Sequence, residues 1–177
     1  MRRVILVAAV LFAIGVPAIA DDTETSVSLA GGKFTMTGPK GWTKKTPRVN
    51  IIESEFVIPK SEGDNADGRL TVMQSGGGIE ANVDRWKGQF AKTDKSSTTK
   101  EKAGDFEVYV VELGGTFKEQ RGPFAPATMR KDYRMLAAII VLKDSDRDYF
   151  VKLTGPKKTI EANAKKFKEF VKTFKAK

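Results

Sequence analysis

Carboxylates are the side chains of this sequence that could perform a reaction, because the chain contains no histidine and no cysteine. Their absence leaves no Ser-His-Asp or Cys-His nucleophile, no imidazole base and no ordinary zinc, haem or copper site. Two carboxylates that flank a glycosidic bond could still hydrolyse it. Glu53 with Glu55, and Glu107 with Glu112, are candidates, although acids that alternate with apolar residues also form the solvent face of ordinary strands. We therefore expect a protein that is not an enzyme and has no catalytic residue or cofactor.

Two acidic loops have residue types that could bind calcium. The aspartates of 144–148 have the spacing that opens an EF-hand loop, but Tyr149 and Gly155 occupy the positions of its glycine and its bidentate glutamate. The loop at 62–68 also supplies oxygen atoms from aspartate and asparagine, yet a tight turn needs the same residue types. The sequence predicts no metal site and leaves open whether the 62–68 loop binds an ion.

A glycine triplet, Gly76 to Gly78, precedes a predicted helix and could present backbone amides to an anion, assisted by the helix dipole. It lacks the Gly-Lys-Ser/Thr ending of a nucleotide-binding loop, and an ordinary strand-to-helix connection also explains it. The two tryptophans have different contexts. Trp86 has the phase of a core residue, and Trp42 follows a turn from which it could seal one end of the core.

A long segment without periodicity, 114–130, combines glycine, proline, positive charge and an aromatic residue. Long irregular loops in compact domains often carry function, although such a loop also serves to cover the edge of a sheet. Arginine and aromatic side chains are enriched among interface anchors. The sequence therefore indicates a partner-binding site formed by Arg121, Phe124 and Arg130.

The C-terminal segment carries a row of lysines on the polar face of a predicted helix. Such a row could bind an anionic lipid or polysaccharide, or it could simply be the solvated face of the helix. The anionic surface would be contacted by Lys165, Lys168 and Lys172.

The elements that position these residues follow from hydrophobic periodicity. Apolar residues at helical spacing predict a helix from Ile79 to Phe90 and a clearer one from Pro156 to Phe174. Alternating or β-branched segments predict strands. These strands lie at 33–37, 51–58, 69–75, 98–102, 106–113, 133–142 and 149–154. This order predicts an α+β fold, an antiparallel sheet covered by helices.

The N-terminus has the order of a secretory signal peptide. Arg2 and Arg3 precede the apolar run 4–16, and the small-residue segment 18–20 follows it. We expect a signal peptide at 1–20 and a single domain at 21–177 that contains no transmembrane helix, exported to the periplasm or the cell exterior. The 31 basic and 22 acidic residues give a net charge of +9, which favours anionic surfaces. No nucleic-acid-binding motif is present, so nucleic acid is not an expected partner.

Four segments carry a resemblance to known proteins: PKGW at 39–42, NVDRW at 82–86, YFVKLTGP at 149–156 and FVKTF at 170–174. In these segments the chain resembles exported bacterial proteins of unknown function. The order of strands and helices is similar to the α/β/α sandwich of the photosystem II subunit PsbP and its relatives. That resemblance implies a non-catalytic accessory domain that docks on a membrane complex, with contacts to ions.

Three functions follow from these observations. The first is a non-enzymatic binding or accessory module that docks on an envelope protein through the 114–130 segment. The second is an electrostatic adaptor to anionic lipid or polysaccharide through the lysine row. The third is a carboxylate-only hydrolase, which requires two acids about 5 to 10 Å apart in a cleft.

Overall fold

A computed structural model describes residues 23–120 and 125–177. The signal peptide predicted at 1–20 lies outside the described residues. The elements follow one another in the order β1 (Thr25–Leu29), β2 (Phe34–Gly38), β3 (Thr43–Lys45), β4 (Ser54–Ile58), β5 (Gly68–Ser75), α1 (Ile79–Lys87), β6 (Phe90–Ala103), β7 (Phe106–Glu119), β8 (Thr128–Ile140), β9 (Asp148–Pro156), α2 (Lys157–Ala162), α3 (Ala164–Lys172) and β10 (Lys175–Ala176).

Seven of the strands form one antiparallel sheet, in the order β3-β4-β5-β9-β8-β7-β6. A second sheet has three strands, in the order β1-β2-β10. The predicted α+β fold with an antiparallel sheet covered by helices is confirmed. One correction concerns the layers, because the small sheet shares one face of the large sheet with α2 and α3.

Apolar residues on both faces of the large sheet divide the core into two clusters. One face packs against the small sheet and α3, through side chains such as Phe56, Leu153 and Phe170. The other face packs against α1, through Trp86, Phe150 and their neighbours. Strands β8 and β9 lie at the centre of the sheet, which explains why 135–140 is buried without interruption.

Both tryptophans are core residues, as their sequence contexts predicted. Trp86 is 2% exposed and meets Phe150 edge to face at 5.4 Å between ring centroids. Trp42 is 1% exposed, packs on Phe170, and donates a hydrogen bond from Nε1 to Asn163 Oδ1 at 2.9 Å. A buried tryptophan is usually stabilised by edge-to-face aromatic contacts and by a hydrogen bond from its indole N–H.

Several predicted bounds were wrong. The C-terminal helix is interrupted at Asn163, whose side chain donates to the Thr159 carbonyl and accepts from Trp42, and α3 ends at Lys172. Phe174 packs in the core after the helix has ended, so its helical phase with Phe167 was misleading. Strand β6 begins at Phe90. The ten residues that follow are exposed and mostly polar, as in an edge strand, and show no alternation of apolar and polar side chains.

The 114–130 segment is not the irregular loop that its composition indicated. Gly114 to Glu119 continue β7, and Thr128 to Arg130 begin β8. A Cβ on Gly114 would overlap the Arg134 guanidinium, and one on Gly115, at φ +140°, would overlap the Lys92 carbonyl. Both glycines are therefore required by close approach within the sheet, and their lack of side chains hides the strand pattern.

Candidate functional site

An open cleft lies on the large sheet beside α1, over β5 and β9. Its volume is about 540 Å³. Helix α1 forms one wall and the 146–147 loop another, while Met73 and Lys152 rise from the sheet beneath. The lining residues are Ile51, Met73, Gln74, Ser75, Gly76, Arg85, Trp86, Gln89, Asp146, Arg147 and Lys152.

Lys152 is the central cation of the cleft. It occupies β9, in register with Thr71 of β5 and Ala137 of β8, on the face that packs against α1. Burial, with smaller contributions from the nearby Arg69 and Arg85, lowers its pKa to about 8. Its ammonium group lies 3.5 Å from Gln89 Oε1, a contact with a neutral acceptor. Lys152 is therefore a largely buried cation whose surroundings are positive.

Two arginines add to this charge. Arg85 extends from α1, where it donates to Asn82 Oδ1, and Arg147 lies in the β8–β9 connection. Within 23–120 and 125–177, none of Lys152, Arg85 and Arg147 forms an ion pair. The one acid in the lining is Asp146, so the cleft has three cationic groups against one anionic group. The cleft is basic and its charge is not compensated by pairing.

The glycine triplet shapes the wall of the cleft at the start of α1. Gly77 and Gly78 have φ values of +100° and +70°, which the absence of a side chain permits. Asn82 Nδ2 donates to the Gly76 carbonyl at 3.0 Å and to the Gly78 carbonyl at 2.6 Å. These bonds hold the triplet against the first turn of the helix, and Gly76 in turn lies against the Asp146 carbonyl. The two walls are thereby in contact.

A second, smaller cavity of about 150 Å³ has a different electrostatic character. Arg134 Nη1 lies 2.7 Å from Asp94 Oδ1, and its Nε lies 3.6 Å from Glu161 Oε1. Lys95 pairs with Glu112 at 2.8 Å. Each cation in this cavity has a carboxylate partner, so it is a compensated network and a weaker candidate than the cleft.

The residues proposed for partner binding are only partly described. Arg121 and Phe124 lie outside the described residues. Arg130 pairs with Glu119 across the β7–β8 hairpin, with Nη2 at 2.8 Å from Oε2. The register shows that the hairpin continues past Phe90 of β6 and past Pro156 of β9, so no strand among the described residues flanks its outer part. The structure thus places Arg130 on this outer part of the hairpin, a projecting arm, where its guanidinium is paired with Glu119 of the same arm.

The lysine row lies on α3, but two of its three members have acidic partners. Lys165 lies 3.8 Å from Glu169 and Lys168 lies 3.5 Å from Glu101, whereas Lys172 is exposed. Exposed pairs of this kind contribute at most about 1 kcal/mol. The row therefore remains accessible, with less free charge than the sequence alone indicated.

The carboxylates considered for hydrolysis all have partners. Glu55 accepts a bidentate pair of bonds from Arg69, which lowers its pKa, and Lys100 lowers the pKa of Glu107. Glu112 pairs with Lys95, and Glu53 accepts from the Ala30 amide at 2.6 Å. A general acid needs a raised pKa. The shifts of Glu55 and Glu107 are in the opposite direction.

The carboxylates of the 62–68 loop serve local structure. Asp64 Oδ2 accepts from the amide and the hydroxyl of Thr159, at 2.7 and 2.6 Å, and so satisfies the start of α2. Asp67 Oδ1 accepts from the Lys60 amide at 3.0 Å. Across the part of the chain that the structure describes, no group of three acids is placed to hold a metal ion.

The cations of the cleft were missed by the sequence analysis, although the glycine triplet beside them was considered there as an anion site. Arg85 and Arg147 look like ordinary surface arginines, and their convergence depends on the sheet order. Lys152 did carry a signal, since it is the single charge within the apolar strand YFVKLT. A charged residue in a central strand is seldom buried unless it is paired, and its position deserved a functional interpretation.

No model of a known protein family matches the sequence, and no curated protein matches it. Solved structures do match. The Ran-binding protein Mog1p of Saccharomyces cerevisiae is 14% identical, with a TM-score of 0.54 over 88% of this chain and 96% of that one. Cyanobacterial PsbP (CyanoP) of Synechocystis sp. PCC 6803 is 11% identical, with a TM-score of 0.53 over 92% and 98% of the two chains.

LpqN of Mycobacterium tuberculosis, which is involved in cell envelope biogenesis, is 11% identical, with a TM-score of 0.53 over 86% of this chain and 89% of that one. No described helix combines the length and the apolar composition needed to cross a membrane. Identities this low establish shared architecture and leave function open. The chain is a single α+β domain with the fold of Mog1 and PsbP.

Proposed function

We propose that this protein is a non-enzymatic, exported binding module whose basic cleft receives an anionic group of an envelope partner or ligand. The observation that carries the proposal is Lys152, a largely buried ammonium group that forms no ion pair among the described residues and has Arg85 beside it. Burying a charge without a partner costs several kcal/mol. A bound anion would supply the missing partner.

The surroundings of Lys152 would strengthen such an interaction. Charge-assisted hydrogen bonds are roughly twice as strong as neutral ones, and a partly desolvated site screens them less than water does. Arg85 and Arg147 are more exposed than Lys152 and would attract an anion toward the cleft. Binding in this way requires no chemical step, which fits a module and not an enzyme.

The names of the similar structures point to binding rather than catalysis. The yeast protein is described as Ran-binding, and the mycobacterial one as involved in cell envelope biogenesis. The export signal expected at 1–20 would place this chain in the same compartment as an envelope partner. A partner that presents a carboxylate or phosphate group would suit the cleft.

The proposal is tested by titrating residues 21–177 with inorganic phosphate, sulfate and citrate in a calorimeter at pH 7. We expect at least one of these anions to bind and the binding to be lost in Lys152→Met. Lys60→Met is the matched control, because it removes an exposed lysine that follows β4 beside the start of β5, whereas the cleft lies at the end of β5, and it should bind normally. Absence of binding by every anion, or equal binding by Lys152→Met, would contradict the proposal.

The β7–β8 hairpin is a second candidate surface for a protein partner. Its outer part has no flanking strand within the described part of the chain, and Met129 on it is 54% exposed. An exposed methionine on a projecting arm is compatible with docking by Arg121, Phe124 and Arg130. A folded triple-alanine variant that captures an identified partner as well as the wild type would remove this candidate.

A further inference from the structure

We infer that the ligand of the basic cleft is an acidic saccharide, a sugar chain that carries uronate carboxylates. This inference rests on the proposed function, since it names the ligand class of the same site. It follows from the neutral residues of the cleft and from its shape, whereas the proposed function follows from the cations.

The neutral lining is made of groups that hydrogen-bond to hydroxyls. Ser75 lies at the end of β5, on the same strand face as Met73, and Gln89 lies between α1 and β6. Their amide and hydroxyl groups both donate and accept, as sugar hydroxyls do. Asp146 adds an acceptor at the 146–147 wall, which a hydroxyl could satisfy and a second anionic group would avoid.

The apolar part of the lining is small and lies at the rim and floor. Ile51 is 70% exposed at the rim and Met73 is half-buried beneath. These side chains could cover the apolar face of one sugar ring. They are too few to hold an acyl chain, which would need a continuous apolar wall to be removed from water.

The volume and lining of the cleft favour a saccharide over two other anionic ligands. A volume of about 540 Å³ exceeds what one inorganic phosphate occupies, so phosphate would leave part of the polar lining without a contact. A nucleotide would need an aromatic face on which to stack its base. Trp86 is the aromatic residue of the lining, and at 2% exposure it has no face available.

The test is a calorimetric titration of residues 21–177 with tetrasaccharides of galacturonate and of mannuronate at pH 7. The matched neutral ligands are the same tetrasaccharides with their carboxylates reduced to alcohols. We expect an acidic tetrasaccharide to bind at least about tenfold more tightly than its neutral form, because one charge-assisted bond contributes about that factor. Lys152→Met should abolish the difference.

A second variant tests recognition of the sugar hydroxyls separately from recognition of the charge. Ser75→Ala should weaken tetrasaccharide binding about tenfold and leave phosphate binding unchanged, because the Ser75 hydroxyl would bond to a sugar hydroxyl that phosphate lacks. Lys60→Met is again the control for general charge loss.

The outcomes distinguish the two proposals. If phosphate or vesicles of phosphatidylglycerol bind in a Lys152-dependent way while neither acidic tetrasaccharide does, the saccharide inference is overturned and the proposed function stands. The inference is also overturned if Ser75→Ala binds the acidic tetrasaccharide as tightly as the wild type. If no anion of any class binds, both proposals are overturned.

Discussion

At Lys152, folding and binding impose opposite demands. The ammonium group is held in a largely buried position, among positive neighbours, at the centre of the large sheet. Such an arrangement destabilises the free protein, because the charged form of the side chain is better solvated in the unfolded chain. Residues that lower stability without an evident structural benefit are often those that serve a site. Lys152 meets this description more closely than the lysines of α3, which are exposed or, at Lys168, half-buried and paired with Glu101.

Replacing Lys152 by methionine, which has a similar length and no charge, should therefore stabilise the protein. We expect the free energy of unfolding at pH 7 to rise by up to about 3 kcal/mol, because the pKa is displaced from 10.5 to about 8 and each unit corresponds to about 1.4 kcal/mol. Urea denaturation of the two proteins measures this difference. A methionine variant that is less stable than the wild type would show that the ammonium group contributes favourably to the fold.

The same shift in pKa predicts how stability depends on pH. The pKa of Lys152 is about 8 in the folded protein and has an ordinary value of 10.5. Between these two values the unfolded chain holds a proton that the folded protein has released, so the free energy of unfolding should rise as the pH increases through this window. Lys152→Met should lack this component. Parallel pH profiles of the wild type and the variant would argue against a lowered pKa.

The two adjacent glycines of β7 allow a prediction about stability that does not involve the cleft. Gly114→Ala would place a methyl group against the Arg134 side chain, which can move, whereas Gly115→Ala would place one against the Lys92 backbone. We expect Gly114→Ala to cost about 1–2 kcal/mol and Gly115→Ala to cost about 3 kcal/mol or more, since φ +140° is also strained for alanine. Thermal denaturation of both variants gives the order, and the reverse order would contradict this account of the β6–β7 contact.

Helix α1 is the element that turns a sheet surface into a cleft. It is fixed near its C-terminal end by Trp86 on Phe150 and at its start by Asn82, which binds the carbonyls of Gly76 and Gly78. Without the helix, Lys152 would lie on an open sheet face. The geometry of the site therefore depends on a nine-residue helix and on the turn that precedes it.

Removing the Asn82 side chain should loosen this wall. Asn82→Ala removes the donor of the Gly76 carbonyl and leaves the Gly78 carbonyl with only the amide of residue 82, at 3.4 Å, so we expect it to lower stability by about 1–3 kcal/mol. It should also weaken anion binding, because Arg85 loses the oxygen that positions its guanidinium. Glu80→Ala, an exposed change in the same helix, is the control. Full anion affinity in a folded Asn82→Ala protein would show that the turn does not shape the site.

The sequence predicted the central elements well because their patterns reflect burial. β8 and β9 are apolar because both of their faces are covered, and the α1 stripe faces Phe150. Elsewhere the local pattern was overridden by long-range contacts. β6 is an exposed edge strand with polar residues, the glycines of β7 accommodate Arg134 and Lys92, and Asn163 ends α2 by binding Trp42. None of these contacts is visible in a window of neighbouring residues.

The candidate site was harder to predict than the fold. Its cations come from α1, from the β8–β9 connection and from β9, and they converge only because β9 pairs with β5 in the middle of the sheet. The net charge of +9 indicated an anionic partner without indicating where it binds. The sequence indicated the lysine row of α3 because its lysines are close together along the chain. The residues of a binding site need not be close in sequence.

As a whole molecule, the protein combines a shared architecture with a local site. The fold is that of Mog1 and PsbP at 11–14% identity, a level at which surfaces are free to differ. The large sheet leaves part of its α1-side face open, and Arg69, Arg85, Arg147 and Lys152 gather there. Of these cations, Arg69 is paired with Glu55. The remaining three define the surface on which the proposed function depends.

The pKa of Lys152 is the measurement that tests this account most directly. It can be followed by NMR through the ¹³Cε resonance of Lys152, in the free protein and in the presence of phosphate or the galacturonate tetrasaccharide. The account predicts a pKa of about 8 in the free protein, which rises toward the ordinary value of 10.5 when either anion binds. A pKa near 10.5 in the free protein, or a lowered pKa that neither anion changes, would contradict it.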